Sequence, residues 1–273
     1  MSDSDTDSPE SAKWDPVLTE RIMGFLRPIC KRYFRSEVRG LESFPPGPAL
    51  VVANHSGGMW STDVPVFAVA FYDHFGYERP IYTLVHDLML TGPGPLAKFT
   101  EFVVRAGLIR ASRDNATTAL RAGGVVVVFP GGEYDVYRPT AAQNEIDFNG
   151  RTGYVKTALE AGVPIVPTVS IGAQESQFFL SRGTWLAERL QLKRRARSQI
   201  LPISFGFPFG LSAMIPPNLP LPTKVVTQVL EPIDIAAEFG DDPDVGEVDA
   251  HVRGVMQTAL DRLARDRRLP VLG

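Results

Sequence analysis

The chain has 273 residues, 44% of them hydrophobic, with a formal net charge of −3 and one cysteine, Cys30. That length and apolar content suit one large α/β unit with a full core, and the mild acidity is not the balance of a nucleic-acid binder. A single cysteine excludes an intramolecular disulfide framework and a cysteine-based metal cluster, and four scattered histidines predict no metal site.

No apolar run approaches the roughly 20 residues that cross a bilayer, and the polar start at residues 1–10 does not read as a signal peptide. Residues 1–12 are acidic, Ser-rich and aperiodic, which predicts a disordered tail. Across 13–36, Trp14, Leu18, Ile22, Phe25, Leu26, Ile29, Tyr33 and Phe34 recur at helical spacing, with Arg21, Lys31, Arg32 and Arg35 around the stripe. The pattern predicts an amphipathic helix bent at Pro28. Two fates suit it: lying on an anionic membrane surface, or packing across the fold with its arginines in solvent. Residues 37–273 hold no internal repeat or boundary and read as a single α/β domain.

Within that domain a strand is predicted at 37–41, a rigid turn at Pro45-Pro46-Gly47-Pro48, and a short buried strand at 49–53. The strand runs into Asn54-His55-Ser56-Gly57-Gly58-Met59-Trp60-Ser61-Thr62-Asp63-Val64-Pro65, whose last four residues open a helix. A histidine thus leaves a strand end and an aspartate waits at the next helix start. A carboxylate on one ring nitrogen leaves the other free to take a proton, which is general-base chemistry. The bland alternative is a polar strand-to-helix turn.

A very apolar helix is expected at 64–72, a strand at 81–85 with a short continuation at 86–90, and a break at Thr91-Gly92-Pro93-Gly94-Pro95. A helix at 96–104 precedes a short strand that enters a polar loop bearing Arg110 and Arg113, and a further helix spans 115–122. Four valines, 125–128, predict a central strand buried on both faces, and Pro130-Gly131-Gly132 then lets a ligand approach the backbone amides. A helix at 152–161 leads to a third buried strand at 163–170. Alternating strands and helices imply a largely parallel sheet flanked by helices, with its ligand crevice outside the strands' carboxyl ends. His55, Arg110, Arg113 and Gly131 to Glu133 all follow strands.

Farther on, Lys193-Arg194-Arg195 with Arg197 form a basic cluster. Residues 200–222 are apolar, rich in Pro, Gly and Phe, and read as a loop with a short strand or turn, suited either to a membrane interface or to plugging the core. A strand at 224–230 and a helix at 248–266 with solvent-facing charges finish the chain. There is no Gly-x-Ser-x-Gly elbow, Walker-type loop or dinucleotide fingerprint.

Four blocks together resemble the phospholipid/glycerol acyltransferase family, which includes the 1-acylglycerol-3-phosphate acyltransferases. Asn54-His55…Asp63 resembles its His-x4-Asp motif, although seven residues, 56–62, intervene here. Gly107-Leu108-Ile109-Arg110-Ala111-Ser112-Arg113 resembles Gly-x-Ile-x-x-x-Arg. Val128-Phe129-Pro130-Gly131-Gly132-Glu133 resembles Phe-Pro-Glu-Gly-Thr-Arg with Gly131 in place of the glutamate, and Val163-Pro164-Ile165-Val166-Pro167 is similar to Val-Pro-Ile-Val-Pro. The Pro-Gly-Gly form also resembles the diacylglycerol and alcohol acyltransferase branch.

The resemblance implies a glycerolipid acyltransferase-like fold and acyl transfer from acyl-CoA or acyl carrier protein to a hydroxyl of lysophosphatidate, without a bound cofactor. His55 would be the base and Asp63 its partner. The Gly131 and Gly132 amides would serve the oxyanion, and Arg110 and Arg113 the acceptor phosphate. Glu133 and Arg138 would support, with Glu133 orienting Arg138 or Arg113. Glycerol-3-phosphate or a neutral acylglycerol is the alternative acceptor. Substrate insolubility points to a cytoplasmic protein held peripherally on the inner membrane face. Two other readings remain: a non-catalytic lipid- or acyl-carrier-binding protein, expected if His55 and Asp63 lie beyond ~4 Å, and an esterase using Ser56.

Overall fold

The computed structural model describes residues 9–87, 90, 95–196, 198–267, 269 and 271–272. The strands are β1 (Glu37–Arg39), β2 (Ala49–Ala53), β3 (Ile81–Val85), β4 (Leu108–Arg110), β5 (Val125–Val128), β6 (Ile165–Ile171), β7 (Phe178–Ser181), β8 (Ile203–Gly206), β9 (Gly210–Ala213) and β10 (Val226–Val229). The helices are α1 (Pro16–Pro28), α2 (Asp63–Phe75), α3 (Pro95–Arg105), α4 (Arg113–Arg121), α5 (Gly132–Val136), α6 (Gly153–Ala161), α7 (Thr184–Arg189), α8 (Leu192–Ala196), α9 (Ile235–Phe239) and α10 (Val245–Asp266).

Seven strands form one sheet in the order β1-β10-β6-β2-β5-β3-β4. β6, β2, β5, β3 and β4 are parallel, whereas β10 runs antiparallel to β6 and β1 follows β10. The α/β fold with a largely parallel, helix-flanked sheet is therefore present. β2 sits between β5 and β6, and all five of its residues are buried. Its alternation serves both faces. Leu50 and Val52 pack with Leu120 of α4, Val155 of α6 and Met256 of α10, while Ala49 and Val51 pack with Val66 and Phe67 of α2.

Several helix boundaries follow from local chemistry. Ser112 caps α4 by accepting from the Asn115 amide at 3.1 Å, and Asp244 caps α10 by accepting from the Glu247 amide at 2.8 Å. α2 stops at Gly76, whose φ is +76°.

The amphipathic segment is α1 continued by a π-helical turn at Ile29–Tyr33. Met23, Cys30 and Phe34 are buried in the α2-side core, so the stripe packs across the fold, leaving Phe25 and Val17 outside. Residues 1–8 lie outside the described set. Glu10–Lys13, at the end of the stretch expected to be disordered, form a 3-10 turn. The break expected at 91–94 and Arg197 of the basic cluster also lie outside the described residues.

The short strand or turn expected within 200–222 is a pair of strands, β8 and β9, which join β7 in a separate antiparallel sheet. One expectation needs correction. The C-terminal helix is not wholly solvent-facing in its charges: Asp249 is buried, accepting from the Tyr154 hydroxyl at 2.9 Å and paired with Arg253 at 2.8 Å.

Candidate active site

Asn54 ends β2 by bonding the neighbouring strand. Its amide nitrogen donates to the Ser170 carbonyl at 2.9 Å, and its side-chain oxygen accepts from the Ser170 amide at 2.7 Å. This holds the end of β2 against β6 and places His55 at the mouth of the sheet. The next residues turn back through Gly57 and Gly58, with φ of +91° and +61°, and a 3-10 turn at Gly58–Trp60. A Cβ on Gly58 would meet the Phe179 ring at 2.6 Å, so glycine is required there by space as well as by conformation. The seven-residue excursion returns the chain to Asp63 at the first turn of α2.

There His55 Nδ1 and Asp63 Oδ2 are 3.0 Å apart. Asp63 also accepts from the Ser56 amide at 2.8 Å and the Val64 amide at 3.0 Å, at a helix N-terminus where an anion is favoured. With Nδ1–H donated to Asp63, Nε2 is the acceptor nitrogen, and it faces Ser61 Oγ at 3.4 Å. The His55 ring stacks on Phe129, centroids 4.1 Å apart, which fixes its tilt toward the end of β5. Asp63 is 2% exposed and His55 15%, so the base is reachable and its partner is not.

The peptide of His55 is gripped from the β5 side. Its amide donates to Asp135 Oδ2 at 2.5 Å, and Arg138 Nη2 donates to its carbonyl at 3.4 Å. Asp135 and Arg138 are themselves paired, both buried. Arg138 also donates to the Glu145 carbonyl at 3.0 Å, and its own carbonyl accepts from Gln174 at 2.6 Å. Burial pushes the Asp135 carboxyl above the ordinary aspartate range, while the Arg138 guanidinium and the His55 amide pull it back. A Cβ on Gly131 would lie 2.4 Å from the Asp135 Cβ, which accounts for glycine where the third block usually carries glutamate.

The acyltransferase profile matches residues 35–171, half of the chain. An uncharacterised protein of Mycobacterium leprae is 33% identical over 261 residues, covering 93% of this chain and 67% of that one. The chain belongs to the acyltransferase family. This acyltransferase is also similar, at 25% identity over 251 residues (85% of this chain, 66% of that one), to a mouse protein described as a DGAT1/2-independent enzyme synthesizing storage lipids. Its fold matches the crystal structure of the 1-acyl-sn-glycerophosphate (LPA) acyltransferase PlsC from Thermotoga maritima with a TM-score of 0.55. That match covers 91% of this chain and 82% of that one at 17% identity.

The other expected site residues of the acyltransferase are placed as follows. Arg110 ends β4, half exposed, its Nε 3.8 Å from Glu10 and 3.7 Å from Asp87. Arg113 opens α4, exposed, with no hydrogen bond or ion pair among the described residues. Both lie at the carboxyl end of the parallel strands, but β4 is three strands from β2, a separation of about 14 Å. The Gly132 amide donates to the Phe129 carbonyl at 3.0 Å, whereas the Gly131 amide has no acceptor among the described residues. Glu133 turns away from both arginines. It accepts from Ser198 Oγ at 2.9 Å and the Gln199 amide at 3.1 Å, so its expected role of orienting Arg138 or Arg113 is replaced by tethering the 198–199 segment. Asp135, two residues on, holds Arg138 because the helical turn of α5 points it inward. Ser56 Oγ is buried without a partner among the described residues and makes no bond to His55.

Sequence reasoning missed Asp135, Phe129, Ser61 and Gln174. Only the i, i+3 spacing of Asp135 and Arg138 could have flagged one of them. Beside Asp63 a narrow crevice with about 10 Å³ of free volume lies between α2 and the sheet, lined by Val51, Val64, Phe67, Ile81, Val127 and Phe129 among others. Among the described residues no group of His, Cys, Asp and Glu could hold a metal ion, and no helix is long and apolar enough to cross a membrane.

Proposed function

We propose that this glycerolipid acyltransferase moves a fatty acyl group from a thioester, acyl-CoA or acyl carrier protein, to the free hydroxyl of lysophosphatidate at a membrane surface. The observation that carries the reading is the 3.0 Å His55–Asp63 contact with Nε2 left as an acceptor. It lies inside the ~4 Å limit set for an intact dyad. His55 Nε2 takes the proton of the acceptor hydroxyl as that oxygen attacks the thioester carbonyl. The thiolate leaves on collapse and recovers the proton. Asp63 holds the ring and balances the imidazolium. The acceptor is the nucleophile, so no enzyme serine is required. The Gly131 amide is the better-placed oxyanion donor, since that of Gly132 is occupied.

For the acceptor phosphate, Arg113 is the candidate. It is uncommitted among the described residues and stands at the N-terminus of α4, where an anion is favoured. A second reading, a neutral acylglycerol or alcohol as acceptor, is favoured by the commitment of Arg138 to Asp135 and of Arg151 Nη1 to the Pro130 and Gly131 carbonyls, which engages the two arginines beside the third block. The similarity to the mouse storage-lipid enzyme points the same way. Cytoplasmic residence, peripheral on the inner membrane face, belongs to the same proposal.

The test is thiol release from palmitoyl-CoA by the purified protein, with lysophosphatidate, glycerol-3-phosphate or an acylglycerol, and His55→Ala as control. Arg113→Ala should cost 10- to 100-fold with a phosphate acceptor, as expected for a charge-assisted bond of about 1.5–3 kcal/mol. Equal activity of that variant, with preference for the acylglycerol, would favour the neutral acceptor.

A further inference from the structure

The small sheet β7-β8-β9 is built inside out for water. Phe178, Phe205 and Leu211 stand in register across its three strands and are all exposed, and Leu180 and Ala213 extend the same outward face. The opposite face, turned to the protein, carries Phe179 with Ser204 and Ser212, all buried. An antiparallel sheet with one solvated face shows the reverse alternation, apolar in and polar out. The hairpin turn adds Phe207 and Phe209, and beyond it Ile215, Leu219 and Leu221 are exposed too, with Phe207 68% and Ile215 72% exposed. A contiguous surface of this kind marks an apolar partner.

Its surroundings specify which one. The β7-to-β8 connection carries α7 and α8, where Trp185 and Leu190 are exposed beside Arg189, Lys193 and Arg194, with Glu188 the only acid. On the other flank the Tyr33 hydroxyl donates to the Pro220 carbonyl at 2.7 Å and exposed Arg35 donates through Nη2 to the Pro222 carbonyl at 2.9 Å, which brings its cation to the patch edge. Apolar and aromatic side chains collared by cations match a bilayer interface bearing anionic headgroups. A second copy laid face to face would set the same cationic collar against itself.

The patch is also joined to the catalytic loop. Trp60 Nε1 donates to the Asn218 carbonyl at 2.8 Å, Gln177 donates to that same carbonyl at 2.6 Å, and the Phe179 ring closes over Gly58. The seven residues between His55 and Asp63 therefore do more than close the dyad, because they carry half-exposed Met59 and Trp60 to the rim of the sheet.

We propose that the outward face of β7-β8-β9, with the 207–221 segment and the Met59–Trp60 turn, seats this protein on an anionic phospholipid bilayer and sets the mouth of the His55 site against the lipid. This rests on the lipid-acceptor reading, and of the two segments suited to a membrane it selects the 200–222 stretch over the α1 stripe, most of which packs against the α2-side core with Phe25 left exposed. The test is co-sedimentation of the full chain with vesicles of phosphatidylcholine, with and without phosphatidylglycerol, alongside gel filtration without lipid. Phe205→Ser/Leu211→Ser and Lys193→Glu/Arg194→Glu change only exposed side chains. The first should lower partitioning roughly tenfold or more on both vesicles, and the second only on the anionic ones, in a salt-dependent manner. Thiol release with short-chain, water-soluble substrates should remain at the wild-type level in both. Vesicle binding needs no turnover, so it stands or falls separately from the acyl-transfer assay. Equal partitioning of the wild type and both variants, no partitioning of the wild type, or a lipid-free dimer that Phe205→Ser/Leu211→Ser converts to monomer would each overturn the proposal.

Discussion

Asp135 and Arg138 form a buried pair that holds the backbone of one residue on both sides, the amide and the carbonyl of His55. Because the pair spans the end of α5, which continues the third sequence block, it ties that block to the first. Asp135→Asn keeps an acceptor for the His55 amide but leaves the Arg138 charge uncompensated, so it should cost about 3–5 kcal/mol in denaturant unfolding. Asp135→Leu/Arg138→Met should recover most of that stability and still lose turnover by about tenfold or more, because the peptide carrying the base is no longer held. Full recovery of both would reduce the pair to a packing element.

Removing the base is a sharper test of chemistry. His55→Ala should lower kcat by about 10²–10⁴ without a change in circular dichroism. Asp63→Asn should approach the same loss, since the amide releases the tautomer that keeps Nε2 an acceptor. A variant of Asp63 with unchanged turnover would remove it from the dyad.

Ser61 Oγ occupies the place beside Nε2 that an acceptor hydroxyl must take, and it already has a second partner, the Gly58 carbonyl at 3.2 Å. It can therefore yield when substrate arrives. Ser61→Ala should keep kcat/KM within about threefold, in keeping with loss of one neutral hydrogen bond. Mass spectrometry of wild type with donor alone should find no acyl-protein adduct. Loss of all activity together with an adduct on Ser61 would instead establish a covalent serine route.

Alkaline pH should destabilise the fold. Burial pushes the Cys30 thiol up to about 11, and the Tyr72 and Tyr137 phenols to about 12. Above the ordinary thiol pKa of about 8.5, the unfolded chain releases a proton that the folded chain retains. Stability is thus complete below that value and is lost as pH rises toward the folded one, by about 2–3 kcal/mol for Cys30 alone. Urea midpoints between about pH 8 and about pH 10.5 should fall accordingly, and less steeply for Cys30→Ala than for wild type.

The sequence alone determined the alternation of strands and helices, the buried runs at 49–53 and 125–128, and the order of the four blocks. Each depends on local signals, namely hydrophobic period, caps, and Gly or Pro punctuation. The site's composition was partly legible for the same reason: His55, Asp63 and Gly131 follow predicted strands or open predicted helices. What only tertiary structure decided involves partners distant along the chain or conformations that spacing does not encode. Closure of His55 on Asp63 depends on two glycines at positive φ and on the Phe179 ring beneath them. The pairing of Arg138 with Asp135 rather than Glu133 depends on which side of one helical turn faces the core. The antiparallel insertion of β10 beside β6 and the docking of β7 on the β8-β9 hairpin arise from strand pairings across longer intervals, where hydrophobicity says that a residue seeks an apolar neighbour but not where that neighbour lies.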